Sequence, residues 1–207
     1  MCLSMLDLIL VTLAVTPSGA LSPGPLTTAT VALGVRGGGW RTGFKVAFGH
    51  MLVELPFVTL LCVAFRRIEY MLRGPLGEAM NILAFMFIVY FAALLLKDAY
   101  RGAGGEASKG FGRNPIVVGA ALTGFNVFFL LWWVTVGLAI IRSAVEAGIT
   151  GFTVMYASHV WIDYAWLALL AEAGSRSAMI TGGKGYRILL TTLAAILIIF
   201  GVHLILE

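Results

Sequence analysis

The chain has 207 residues, 60% of them hydrophobic and 12% charged, with a mean hydropathy of +0.97. A soluble domain carries about 25% charged residues, so the composition excludes a water-soluble globule and describes an all-α integral membrane protein. The net charge of +4 comes without a Lys/Arg-rich run, which excludes a nucleic-acid partner. Cys2 at the terminus and Cys62 in mid-span exclude a disulfide framework.

About twenty apolar residues cross a bilayer, and six segments qualify: 5–34, 42–65, 79–97, 115–142, 149–172 and 186–206. The first twenty residues hold no Lys or Arg and carry Asp7, so they read as a retained membrane helix, not a cleaved leader, with Asp7 as an interfacial anchor. Ser22-Pro23-Gly24-Pro25 interrupts that first helix, because proline has no N–H and its ring collides with the carbonyl four residues back. Pro17 and Gly19 extend the weakened stretch upstream. The second half-helix is predicted to begin near Leu26, where the N–H groups of Leu26, Thr27 and Thr28 lack intrahelical partners and suit an anion. Backbone broken at this depth persists only where protein buries it or where it lines a wet cavity.

The second segment carries His50, Glu54 and Pro56, and the proline is expected to bend it. A Gly-rich connection, about 98–114, follows the third. The chain reads as one transporter domain: repeat A at about 1–100, a linker at 101–114 and repeat B at about 115–207. In the fourth segment Asn126 marks a second break, with Trp132 and Trp133 assigned by default to packing and, as a second reading, to a wall of the substrate cavity. The fifth carries His159 and Asp163, flanked by Trp161 and Trp166, which are also expected to pack. His203 near the end of the sixth is expected to reach the interface.

Ten of the fourteen basic residues fall in the connections 1–2, 3–4 and 5–6, and Arg66, Arg67, Arg73 and Arg142 fall on the other side. This bias predicts a cytoplasmic (inner) membrane location with both termini outside. Ala20-Leu21-Ser22-Pro23-Gly24-Pro25 parallels Ala121-Leu122-Thr123-Gly124-Phe125-Asn126. Gly43-Phe44 parallels Gly151-Phe152, and each is followed by a His with an acid four residues on. Three crossings per half make the repeats inverted, and paired interruptions in inverted halves point to a transporter's binding site.

A carboxylate at the bilayer centre costs about 3 kcal/mol on insertion scales, yet the chain keeps Glu54 and Asp163. The four-residue spacing sets each acid on the same face as His50 or His159, so each pair can hydrogen-bond along its own helix. Three readings stand side by side. The quartet is a structural knot between helices; it is a metal site, with His50, Glu54, His159 and Asp163 as four ligands; or it is a substrate and proton site, the acids taking an ammonium group and the histidines carrying protons. Membrane-enzyme chemistry is not expected: His-Glu-x-x-His is absent, and three histidines are too few for a multi-His iron site.

Ser22-Pro23-Gly24-Pro25, with Gly34 and the Arg36–Gly39 turn, resembles the first-helix signature of the LysE/RhtB family of amino-acid exporters. Leu122 to Trp133 resembles its fourth-helix motif. Gly49-His50 with Glu54, and His159 with Asp163 and Trp166, resemble its archaeal branch. Where that family has Asn-Pro in helix 4 this chain has Asn126-Val127, so a milder break is expected, and the Gly-rich pattern of helix 3 is largely missing around Phe85–Ala93.

The resemblance implies a six-helix carrier of two inverted three-helix repeats with helices 1 and 4 discontinuous. It would export a small amino acid, such as lysine or arginine, by alternating access coupled to protons. Ser22, Pro23, Gly24, Pro25, Glu54, Asn126 and Asp163 are the expected substrate-binding residues, and His50, Glu54, His159 and Asp163 the expected proton relay. No cofactor is expected. The runner-up is a divalent-cation exporter with the same quartet as ligands, since the wider superfamily includes metal-ion exporters. Partners are the substrate and membrane lipid. Gly119-Ala120-Ala121 permits close helix contact within a protomer or between protomers.

Overall fold

The computed structural model describes residues 4–21, 24–72 and 114–177 continuously, with scattered residues between 79 and 100 and between 191 and 202. Every regular element among them is helical. In chain order they are α1 (Met5–Ala20), α2 (Pro25–Val35), α3 (Gly39–Leu72), α4 (Pro115–Gly124), α5 (Val127–Val134), α6 (Val136–Glu146) and α7 (Gly148–Ser177). The third and sixth predicted spans and the linker fall largely or wholly outside the described residues, as do Cys2, Ser22, Pro23 and His203. The residues of those two spans that are described are helical.

Ser4 caps α1, and Asp7 completes a capping box with it: the Ser4 N–H donates to Asp7 Oδ2 at 3.0 Å. Asp7 thus fixes where the helix starts. Pro17 does not weaken α1, which runs on to Ala20. The neighbouring hydroxyls of Thr16 and Ser18 bond the carbonyls of Thr12 and Val15. Pro25, which cannot donate to the Leu21 carbonyl, takes the first position of α2 instead. The chain bends by 75° between α1 and α2.

The fourth segment breaks twice. Between α4 and α5 the bend is 59°, made without proline: the Asn126 side chain accepts from the Phe128 N–H at 3.1 Å and starts a new helix. This is the gentler of the two bends, in keeping with Asn-Val at that point. A further interruption at Thr135 separates α5 from α6. Neither Pro nor Gly occupies that position, so the sequence gives no sign of it. By contrast α3 runs unbroken through Pro56, and the expected bend does not interrupt it.

Among the described residues, Gly39–Ile68 is long and apolar enough to cross a membrane, and each bent pair, α1 with α2 and α4 with α5, adds one span if counted as one. α7 has the length but not the apolarity, because it carries polar groups that include His159 and Asp163.

The helices meet at glycines. A methyl at Gly49 would overlap the Ile116 carbonyl of α4, and one at Gly119 would overlap the Val46 carbonyl of α3, so these two helices touch backbone to backbone from both sides. Gly34 and Gly174 do the same for α2 and α7, and Gly43 brings α3 onto Leu167 of α7. The Gly119 stripe is therefore used within the protomer. At the α2–α3 turn, Gly37, Gly38 and Gly39 all have positive φ, which favours glycine. Glu172 of α7 accepts the Trp40 N–H there at 3.1 Å.

Gly49→Ala and Gly119→Ala are each expected to destabilise the protein by about 1–3 kcal/mol, read as a lower thermal midpoint in detergent. Gly124→Ala, whose new carbon would meet nothing closer than 3.8 Å, is expected to leave the midpoint unchanged.

Candidate functional site

Helical periodicity brings α3 and α7 together on their polar faces. His50 and Glu54 lie one turn apart on α3, and His159 and Asp163 lie one turn apart on α7. All four are buried: His50 is 7% exposed, Glu54 1%, His159 2% and Asp163 5%. Removal of these groups from water requires partners, and the partners define the site.

Two threonines set the histidines. Thr123 of α4 donates its hydroxyl proton to the Gly119 carbonyl at 2.7 Å, so it faces His50 Nδ1, 2.8 Å away, with a lone pair. Thr16 of α1 donates likewise to the Thr12 carbonyl at 2.7 Å and faces His159 Nδ1 at 2.9 Å. Both Nδ1 atoms therefore carry the hydrogen, and both rings turn Nε2 to the centre. Each Nε2 lies 3.2 Å from the same atom, Glu54 Oε1.

Glu54 is the hub. Trp133 Nε1 also donates to Oε1 at 3.1 Å, and the Tyr156 hydroxyl donates to Oε2 at 3.3 Å. Asp163 differs. Its Oδ2 lies 3.2 Å from His159 Nε2 and 4.0 Å from His50 Nε2, yet this buried oxygen makes no hydrogen bond. The expected pairing along each helix is thus a hydrogen bond for His50 with Glu54 and, for His159 with Asp163, a contact at the same 3.2 Å without hydrogen-bond geometry, because the His159 ring is aimed across at Glu54.

These groups open on a cavity of about 60 Å³. Ala20, Gly24, Leu26 and Thr27 line it from the first break, and Thr123 and Asn126 from the second. Phe128, Phe129, Trp132 and Trp133 form an aromatic wall, and all four ionisable side chains reach the cavity.

Some expectations change. Thr28 is not a free donor, since its N–H bonds the Gly24 carbonyl at 3.0 Å. Trp132 and Trp133 do more than pack: both line the cavity, and Trp132 Nε1 donates to Ser18 at 3.0 Å. Trp161 is 55% exposed and packs into nothing central. Ser22 and Pro23 lie outside the described residues. Thr16, Thr123, Tyr156 and Trp133 are the site residues that sequence reasoning missed as partners of the ionisable groups. Tyr156 was findable, since it stands three residues before His159 on the same helix face. Thr16 gave no signal, because a threonine in an apolar run reads as bonded to its own helix.

Among known proteins, the family model described as LysE type translocator matches residues 17–207. The match is to the family and names no branch of it. No curated protein and no solved structure matches the chain.

Thr123→Val is expected to cost about 1–3 kcal/mol, because it leaves the buried His50 Nδ1–H without an acceptor, and Thr123→Ser is expected to restore most of the loss. Thermal unfolding reads the cost. Nitrogen NMR of labelled histidine, followed to a pH at which the rings are neutral, reads the tautomer, expected to be Nδ1–H in the wild type and mixed in Thr123→Val.

Proposed function

The chain belongs to the LysE type translocator family, and from that premise we propose that it exports a small amino acid across the cytoplasmic membrane in exchange for protons. The observation that carries this reading is the common cavity. Two helix breaks and four buried ionisable groups open on one space, which puts convergent polar groups and an aromatic wall around a single point.

The roles follow from which groups are already engaged. Glu54 has donors on both oxygens, so it acts as the fixed counter-charge of the histidines. Asp163 Oδ2 is buried and unbonded, so it receives the substrate's ammonium group. The first turn of α2, lined by Gly24, Leu26 and Thr27, receives the carboxylate at the positive end of that helix. Asn126 lines the cavity from the second break and offers an amide for a polar side chain.

The histidines carry the exchanged protons. With Nδ1 committed to a threonine, only Nε2 is left to load and unload. If both Nε2 atoms were bare, their lone pairs would face Glu54 Oε1 with nothing positive between them, so loss of protons from the ring favours entry of another cation. A substrate ammonium meets that need, which is the exchange an antiporter requires. Rocking of two inverted three-helix halves would expose the cavity to each side in turn.

Counterflow in proteoliposomes under an imposed pH gradient, with a panel of amino acids and a panel of divalent metals, tests the reading. A cationic or small neutral amino acid is expected to be carried. Asp163→Asn is expected to weaken its half-saturation about tenfold or more. If Asp163→Asn and Glu54→Gln both support wild-type proton-driven flux, the assignment of roles fails. If only metals are carried, the substrate class fails.

A further inference from the structure

We propose that the ring formed by His50 Nε2, Glu54 Oε1, His159 Nε2 and Asp163 Oδ2 is a binding site for one divalent transition-metal ion of the zinc or cobalt type. The inference goes beyond amino-acid export and rests on the ring alone.

The four atoms alternate nitrogen and oxygen around a closed path whose sides are 3.2, 3.2, 3.2 and 4.0 Å. Ligands about 2.0 Å from a tetrahedral ion stand about 3.3 Å from one another. Three of the six ligand-to-ligand distances of a tetrahedral shell are therefore met before any movement; ligand atoms of His50, Glu54 and Asp163 lie within 4.8 Å of one another, and His159 joins them by closing toward His50. The longest side, His50 to Asp163, closes by less than 1 Å.

Three further observations point the same way. Both rings present Nε2 inward because Nδ1–H is held by a hydroxyl, Thr123 for His50 and Thr16 for His159, and each hydroxyl is itself tied to a backbone carbonyl. Outer partners of this kind orient a histidine that ligates metal. Asp163 Oδ2 is a buried carboxylate oxygen with no hydrogen bond, placed against His159 and His50, with coordination capacity to spare. Finally, two carboxylates carry two negative charges, which a divalent ion neutralises with both imidazoles uncharged. Two imidazoles and two carboxylates suit zinc, cobalt or copper, whereas magnesium and calcium favour all-oxygen shells.

The ion occupies the atoms that the export reading gives to protons and to the substrate's ammonium. Zinc is therefore expected to block amino-acid counterflow. Binding itself is measured without any flux, so the two readings fail separately.

The test uses the full-length protein in detergent, stripped with a chelator, loaded with cobalt chloride or zinc chloride and freed of excess by gel filtration. One metal per protomer is expected by elemental analysis. Cobalt is expected to give the intense visible ligand-field band of four-coordinate geometry, displaced by one equivalent of zinc and untouched by magnesium. The Glu54→Gln/Asp163→Asn double variant is expected to lose the metal. Thr123→Val, which leaves all four ligands in place, is expected to weaken affinity about 10–100-fold. A substoichiometric load, a weak six-coordinate cobalt spectrum, or full retention by the double variant would each overturn the proposal. If the double variant does not fold, the wild-type cobalt spectrum and its displacement by zinc decide the matter alone.

Discussion

The structure depends on one carboxylate oxygen. Glu54 Oε1 lies within hydrogen-bond distance of three ring nitrogens, from His50 on its own helix, Trp133 on α5 and His159 on α7. A carboxylate at that depth is tolerated only if its charge is met from all sides. Four elements must therefore stand at fixed positions around one point, counting the α4 threonine that holds His50. Those positions are reached only because α3 and α4 meet at Gly49 and Gly119, and α3 and α7 at Gly43. The glycines and the acid are parts of the same constraint. A larger residue at any of these contacts would move a donor away from Glu54 before it disturbed the outer surface.

Periodicity made much of this legible. A His and an acid four residues apart occupy one helix face whatever surrounds them, so the quartet could be read from residues 50, 54, 159 and 163. The Pro-Gly-Pro break was legible because proline lacks a donor. The rest was hidden for physical reasons. Pro17 and Pro56 are also prolines, yet α1 and α3 pass through them; tertiary packing, which a sequence does not display, decides whether a proline breaks a helix. The interruption at Thr135 has no local cause in the sequence. Trp133 becomes a donor only through the turn of α5 toward α3, a tertiary fact. The unequal roles of Glu54 and Asp163 were equally invisible, since identical spacing gives each acid the same local prospects and only the aim of the His159 ring and the tertiary donors Trp133 and Tyr156 separate them.

The threonine contacts carry the argument a step further. Thr123 lies on α4 ahead of its break and holds a histidine of α3, and Thr16 lies on α1 ahead of its break and holds a histidine of α7. Each segment is thus anchored, ahead of its break, to a ring nitrogen across the molecule. A shift of α4 against α3, or of α1 against α7, must lengthen one of these contacts or rotate an imidazole. Rotation would turn Nε2 away from Glu54, leaving a buried carboxylate short of a donor. Movement at the breaks and the charge state of the ring are mechanically the same variable.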